Sequence, residues 1–259
     1  MARKLHKRRT ADSAEKLSLS QYLSSFSGPI SFFLIVVAAI FFISTFFRVS
    51  HIEIEGNTHY TDNEIRRAID IEEGDNLIFF DQFGTLSRVY AKLPYVEVVE
   101  IERSLPNKVI LKVTESKALA YIMLGDEPWT LDHSCKVLGQ ATDEELGEMI
   151  YIKGIDPGTL YIGEPLTTAD NDQQTVDLLA ETLYQLEARG LYSRVESIDF
   201  TDPNAVEFQY DGKYLVRLGG PGDTEYKFGM LMSAMSQLLA ADTGVIDVSD
   251  GQTAHFIPN

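Results

Sequence analysis

One uncharged run, Pro29–Phe47 (PISFFLIVVAAIFFISTFF), constrains this chain more than any other feature. As a helix its 19 residues extend roughly 28 Å at 1.5 Å per residue, close to the hydrocarbon thickness of a bilayer. Its only hydroxylated residues, Ser31, Ser44 and Thr45, can bond back to helix carbonyls. A cleavable signal would have a shorter apolar region closed by small residues, whereas this run ends Phe46-Phe47-Arg48. The run is expected to be an uncleaved transmembrane helix.

The flanks differ in sign. Residues 1–28 carry Arg3, Lys4, Lys7, Arg8, Arg9 and Lys16 against Asp12 and Glu15, a net +4, while residues 48–259 carry 16 basic and 37 acidic side chains, a net −21. Basic residues beside a span stay in the cytoplasm, so the expected topology has 1–28 as a cytoplasmic tail and everything after the span outside. The acidity of the outer part excludes the basic footprint that nucleic acid requires. It also disfavours a second membrane-surface contact, since anionic lipid would repel it, and suits solubility. Cys135 is the only cysteine, so no intrachain disulfide can form and the outer part must hold by packing.

Residues 48–115 read as a small α+β unit of order β-α-α-β-β. Ile52 and Ile54 alternate with His51, Glu53 and Glu55, the period of a half-buried strand. Gly56-Asn57 supplies the turn. Thr61-x-x-Glu64 is a capping box, with Tyr60 and Ile65 spaced as its staple and Arg66 and Arg67 facing away. A second helix is expected over Gln82–Lys92, burying Leu86, Val89, Tyr90 and Leu93 and stopped by Pro94. Strands Val96–Glu102 and Lys108–Thr114 follow.

Residues 116–259 alternate short strands with two helices and contain no long linker or repeat. Strands are expected at 118–124, 129–132, 136–138 and 149–152. A helix is expected near Asp170–Arg189, closed by Gly190. Val206/Phe208/Tyr210 and Tyr214/Val216/Leu218 flank Asp211-Gly212, a hairpin signature. A helix follows near Asp223–Ala240. A second hairpin pairs Val245–Val248 with Thr253–Ile257.

A search for chemistry finds little. His6, His51, His59, His133 and His255 make no metal-ligand spacing. His133 and Cys135 lie too close in sequence for a nucleophile and base. Asp170-Asn171-Asp172 lacks the glycine and distal glutamate of a calcium loop and reads as a helix start. Gly219–Gly222 could cradle an anion, but a plain strand-to-helix turn fits better. Trp129 and the group Met230, Met232, Met235 read as core. No catalytic, cofactor or metal residue is assigned. Thr253–Ile257 is left as a strand that can lie on a sheet edge and accept a partner strand.

Taken in order, these motifs resemble the FtsQ/DivIB family of bacterial cell-division proteins. The resemblance rests on VSHIEIEGNTHYTDNEI, GDNLIFFD and LPYVEVVEIERSLPNKVILKVTES in the first unit, which is similar to the family's POTRA-type module. Downstream it rests on WTLDHSCKVLG, LYIGEPL, YDGKYLVRLG and GVIDVSDGQTAHFIP. His133-Ser134-Cys135 stands where the family usually has a glycine in a turn, which questions the tightness of that turn here.

The resemblance implies an α+β chain: one transmembrane helix (29–47), a POTRA-type domain (48–115) and a mainly antiparallel β domain with two flanking helices (116–259). It further implies a non-enzymatic scaffold at the division septum. That scaffold would bind the bitopic coiled-coil division proteins of the FtsL and DivIC/FtsB types, with septal wall synthases as further partners. A partner strand would dock on Thr253, Ala254, His255, Phe256 and Ile257. The alternative from another class is a membrane-anchored wall hydrolase or transferase, which needs a cleft with a nucleophile or a carboxylate pair. An outer-membrane export protein would continue into a barrel of many strands, which the two downstream helices interrupt.

Overall fold

A computed structural model describes residues 19–259, with side chains from residue 28 onward. The basic segment 1–18 lies outside the described residues. Helix α1 (Leu19–Phe46) contains Pro29 and begins ahead of the apolar run. Its stretch Gly28–Phe46 has no buried residue, as expected of a helix whose solvent is lipid.

The first outer module follows without a linker. It comprises β1 (His51–Glu55), α2 (Asp62–Ala68), α3 (Gln82–Lys92), β2 (Val96–Ser104) and β3 (Lys108–Glu115). The sheet order is β1-β3-β2, with β3 parallel to β1 and antiparallel to β2. Ile52, Ile65, Ile69, Val89, Val109 and Leu111 close one core.

The local signals act as the sequence reading expects. Thr61 caps α2 reciprocally with Glu64, satisfying two otherwise unpaired donors. Gly56 sits at φ 87°, and a Cβ there would lie 2.3 Å from the Val113 carbonyl oxygen, so only glycine fits. Arg66 and Arg67 are exposed, but Arg66 reaches back to the Ile52 carbonyl. Tyr90 departs from expectation: it is 44 % exposed and its hydroxyl accepts from Val99 N–H at 3.3 Å, while Thr85 takes the buried place on α3.

The remaining chain builds one sheet. It contains β4 (Ala120–Leu124), β5 (Glu127–Leu131), β6 (Val137–Gln140), β7 (Ile150–Lys153), α4 (Gln173–Ala188), β8 (Val195–Asp199), β9 (Val206–Tyr210), β10 (Tyr214–Gly219), α5 (Thr224–Met235), β11 (Gly244–Asp247) and β12 (His255–Pro258). The nine strands run β12-β11-β10-β9-β8-β7-β4-β5-β6. Five neighbouring pairs are antiparallel and three parallel, so the sheet is mainly antiparallel. Leu179, Leu183 and Leu186 of α4 and Phe228 and Leu231 of α5 pack into its core.

Three details correct the sequence reading. Helix α5 stops at Met235 rather than Ala240. Ser236 Oγ bonds back to the Ser233 carbonyl at 2.7 Å and Gln237 N–H takes the Ala234 carbonyl, tightening the chain into a turn. Met232 is exposed while Met230 and Met235 pack on the core. Strand β8 has no counterpart among the expected elements.

The turn at His133-Ser134-Cys135 is tight despite lacking glycine. Cys135 takes φ 62°, and the fully buried Asp132 carboxylate accepts from Ser134 N–H, Ser134 Oγ and Lys136 N–H at 2.7–2.9 Å. Those three bonds offset a backbone strain of about 1–2 kcal/mol.

Candidate partner-binding edge

A sheet of nine strands has two edges, and the chain treats them differently. At the β6 edge the segment around Glu164 folds back. Val137 N–H reaches the Glu164 carbonyl at 2.9 Å, Gly163 N–H the Val137 carbonyl at 2.7 Å, and Leu166 N–H the Cys135 carbonyl at 2.8 Å. That edge is closed at its start, around Val137. At the other end β12 pairs antiparallel with β11, His255 opposite Asp247 and Ile257 opposite Val245. Among the described residues no strand lies beyond it.

The register decides which backbone groups of β12 face out. Asn259 N–H bonds to the Thr243 carbonyl at 3.1 Å. Alternation along an antiparallel ladder then turns the groups of Ile257 and His255 inward and those of Phe256 and Pro258 outward. Pro258 has no N–H, so Phe256 presents the strand's full outward donor–acceptor pair and Pro258 adds a carbonyl. The side chains divide by face. Phe256 packs on the core, edge-on to Tyr214 at 6.4 Å between ring centres, and Ile257 is half-exposed on the other face.

The expected site residues therefore split. His255, Phe256 and Ile257 belong to β12, whereas Thr253 and Ala254 precede it and Pro258 joins it. Thr253 is taken up by the turn: its N–H and hydroxyl both bond Asp250 at 3.0 Å. The backbone N–H groups of Thr253 and Gln252, with the Thr253 hydroxyl, hold the Asp250 carboxyl below the usual range. His255 Nε2 lies 2.8 Å from Thr253 Oγ1. Gly244 sets how closely β12 approaches, since a Cβ there would fall 2.2 Å from the Ile257 carbonyl oxygen.

Other places weighed in the sequence do different work. His133 Nδ1 faces Glu187 at 3.1 Å while Cys135 Sγ faces the Val176 carbonyl at 4.0 Å, so the two diverge. Burial pushes the Cys135 thiol well up, away from a thiolate nucleophile. Asp172 is the N-cap of α4. The glycine loop ahead of α5 receives its own lysine, Lys227 Nζ on the Gly220 carbonyl at 2.7 Å. A cleft of about 940 Å³ lies where Tyr95 of the first module faces Tyr121, Glu145 and Tyr192. Thr142 N–H and its hydroxyl hold the Glu145 carboxyl below the usual range, opposite to what a general acid needs.

Comparison with known proteins agrees with this architecture. Residues 47–116 match the family described as POTRA domain, FtsQ-type. The cell division protein DivIB of Clostridium botulinum is 24 % identical over 235 residues, covering 86 % of this chain and 90 % of that one. Over most of its length the chain is similar to cell-division proteins of the FtsQ/DivIB kind. DivIB of Clostridium tetani is 20 % identical over 217 residues, 83 % of this chain and 80 % of its own. The cell division protein FtsQ of Streptomyces coelicolor is 32 % identical over 82 residues, 32 % and 31 % of the two chains. The FtsQ/DivIB relatives are cell-division proteins, which supports a role in division here, and the single apolar α1 fits a single-pass membrane protein.

Proposed function

We propose that this protein is a non-enzymatic scaffold of the division machinery. Helix α1 crosses the cytoplasmic membrane with the N-terminus in the cytoplasm, and the POTRA-type domain (48–115) and β domain (116–259) stand outside, enriched at the septum. Strand β12 accepts an extended segment of a bitopic coiled-coil partner of the FtsL or DivIC/FtsB type, and the assembly helps organise septal wall synthesis. The observation that carries this reading is the contrast between edges: β6 is bonded by its own chain at Val137, whereas among the described residues no backbone bond from beyond the sheet reaches the outward groups of β12. Strand addition there would draw on Phe256 N–H and C=O and the Pro258 carbonyl, each bond contributing about 0.5–1.5 kcal/mol net.

The test is co-purification of the coiled-coil partners with the full chain in native membranes. Phe256→Pro removes the outward N–H and is expected to abolish capture while the POTRA-type domain stays folded. Undiminished capture would refute the edge-strand reading. Cleavage of wall material by the purified protein, lost on one carboxylate substitution, would instead support the hydrolase.

A further inference from the structure

The segment Leu77–Phe83 (LIFFDQF) is apolar except for Asp81, the N-cap of α3, and Gln82, and not all of its apolar side chains are folded inward. Leu77 is fully buried, and Phe80 packs on the first module's core under the Arg103 guanidinium, 4.6 Å from its ring centre. Ile78, Phe79 and Phe83 are 39 %, 68 % and 84 % exposed. Exposure this large on adjacent aromatic side chains marks a contact surface. Its position says what it contacts. Asn76 Nδ2 bonds the carbonyls of Ile43 and Ser44 at the end of α1, at 3.3 and 3.4 Å. Leu77 N–H bonds the Phe47 carbonyl at 2.9 Å, and Asn76 Oδ1 accepts from Ile78 and Phe79 N–H at 2.9 and 3.1 Å. The apolar segment is thus fastened to the point where the membrane-length helix ends. Three residues of chain reach at most about 10 Å, and the headgroup layer is roughly 5–8 Å deep on each side of a bilayer.

From this we infer that Ile78, Phe79 and Phe83 insert into the interfacial layer of the leaflet from which α1 emerges, so that the POTRA-type domain lies against the lipid surface. The acidity of the outer part opposes an electrostatic contact; this one is apolar, and its ligand is the headgroup–acyl boundary. The contact is separate from the β12 edge and rests on α1 spanning a bilayer.

The experiment uses the full chain reconstituted in phosphatidylcholine bilayers that carry a spin label either near the headgroup or deep in the acyl chain. Phe79→Cys and Phe83→Cys are each labelled with an environment-sensitive fluorophore, Cys135 being fully buried. Val37→Cys in mid-helix and Tyr161→Cys, 64 % exposed on the β domain, serve as references. The labels at 79 and 83 are expected to shift to the blue and lose intensity to the shallow spin label, with 37 quenched by the deep one and 161 by neither. If 79 and 83 behave as 161 while 37 is quenched, the interfacial contact is wrong. A blue shift at 79 and 83 without lipid quenching assigns the patch to a protein and also overturns it. If 37 itself escapes quenching, the membrane reading fails first.

Discussion

Glu115, the last residue of β3, shows how one side chain can close a module. Its carboxylate accepts from Thr58 N–H, the Thr58 hydroxyl, His59 N–H and Tyr60 N–H at 2.5–3.0 Å, fixing the loop that Gly56 begins. Burial pushes its pKa up, but these bonds outweigh it and leave the carboxyl below the ordinary glutamate value. A depressed folded pKa contributes stability that is full above the unfolded value, about 4.3, and is lost as pH falls through the folded one. Glu115→Gln is therefore expected to cost about 1 kcal/mol at neutral pH, allowing for solvent screening. The gap to the unsubstituted chain should close in acid, as read by urea denaturation at pH values above and below that range. Cys135 gives a second outcome at this scale. Its thiol, fully buried and pushed upward, should resist alkylating reagents in the native chain and react once the chain is unfolded, as mass spectrometry would record.

At the scale of elements, β12 depends on its neighbour as much as on its own residues. Gly244→Ala would drive a methyl into the Ile257 carbonyl and push the terminal strand off β11. The expected result is loss of hydrogen-exchange protection over 255–259 and partner affinity weaker by at least about tenfold, or ~1.4 kcal/mol, with the POTRA-type domain unchanged. Helix starts and hairpins were legible in the sequence because their signals are local: the capping box at Thr61, the Asp211-Gly212 turn, the Asp170–Asp172 run ahead of α4. Strand β8 was not. Its buried residues Val195 and Ile198 stand three apart across a register shift, and a bulge of that kind hides the period of two that identifies a strand.

For the whole molecule, the absence of a tether is the governing feature. Val49 N–H bonds the Asp75 carbonyl and Gly74 N–H the Val49 carbonyl, so the backbone leaving α1 is already part of the module. The joint to the β domain is equally direct. Lys136 Nζ reaches the Val96 carbonyl at 3.2 Å while lying 3.7 Å from Asp132, and Ser116 N–H bonds the Tyr95 carbonyl at 2.6 Å. On the proposed topology, a chain built this way would hold its far edge at a set height above the membrane. Inserting a long Gly/Ser linker after Arg48 should leave both outer modules folded, judged by thermal unfolding of the outer part, yet reduce partner capture in membranes. Unchanged capture would mean that height is unimportant.

By itself the sequence determined the apolar span, the β-α-α-β-β module and the terminal hairpin, because run length, period and turn chemistry are written over a few adjacent residues. Tertiary structure alone decided the order of the nine strands, which edge the chain closes at its start and which it leaves open, and which side chains of IFFDQF point outward beside α1. Each of these depends on segments distant in sequence meeting in space. Glu164 lies across β6, Thr243 receives Asn259, and Asn76 meets the carbonyls of Ile43 and Ser44, and no local pattern records such meetings.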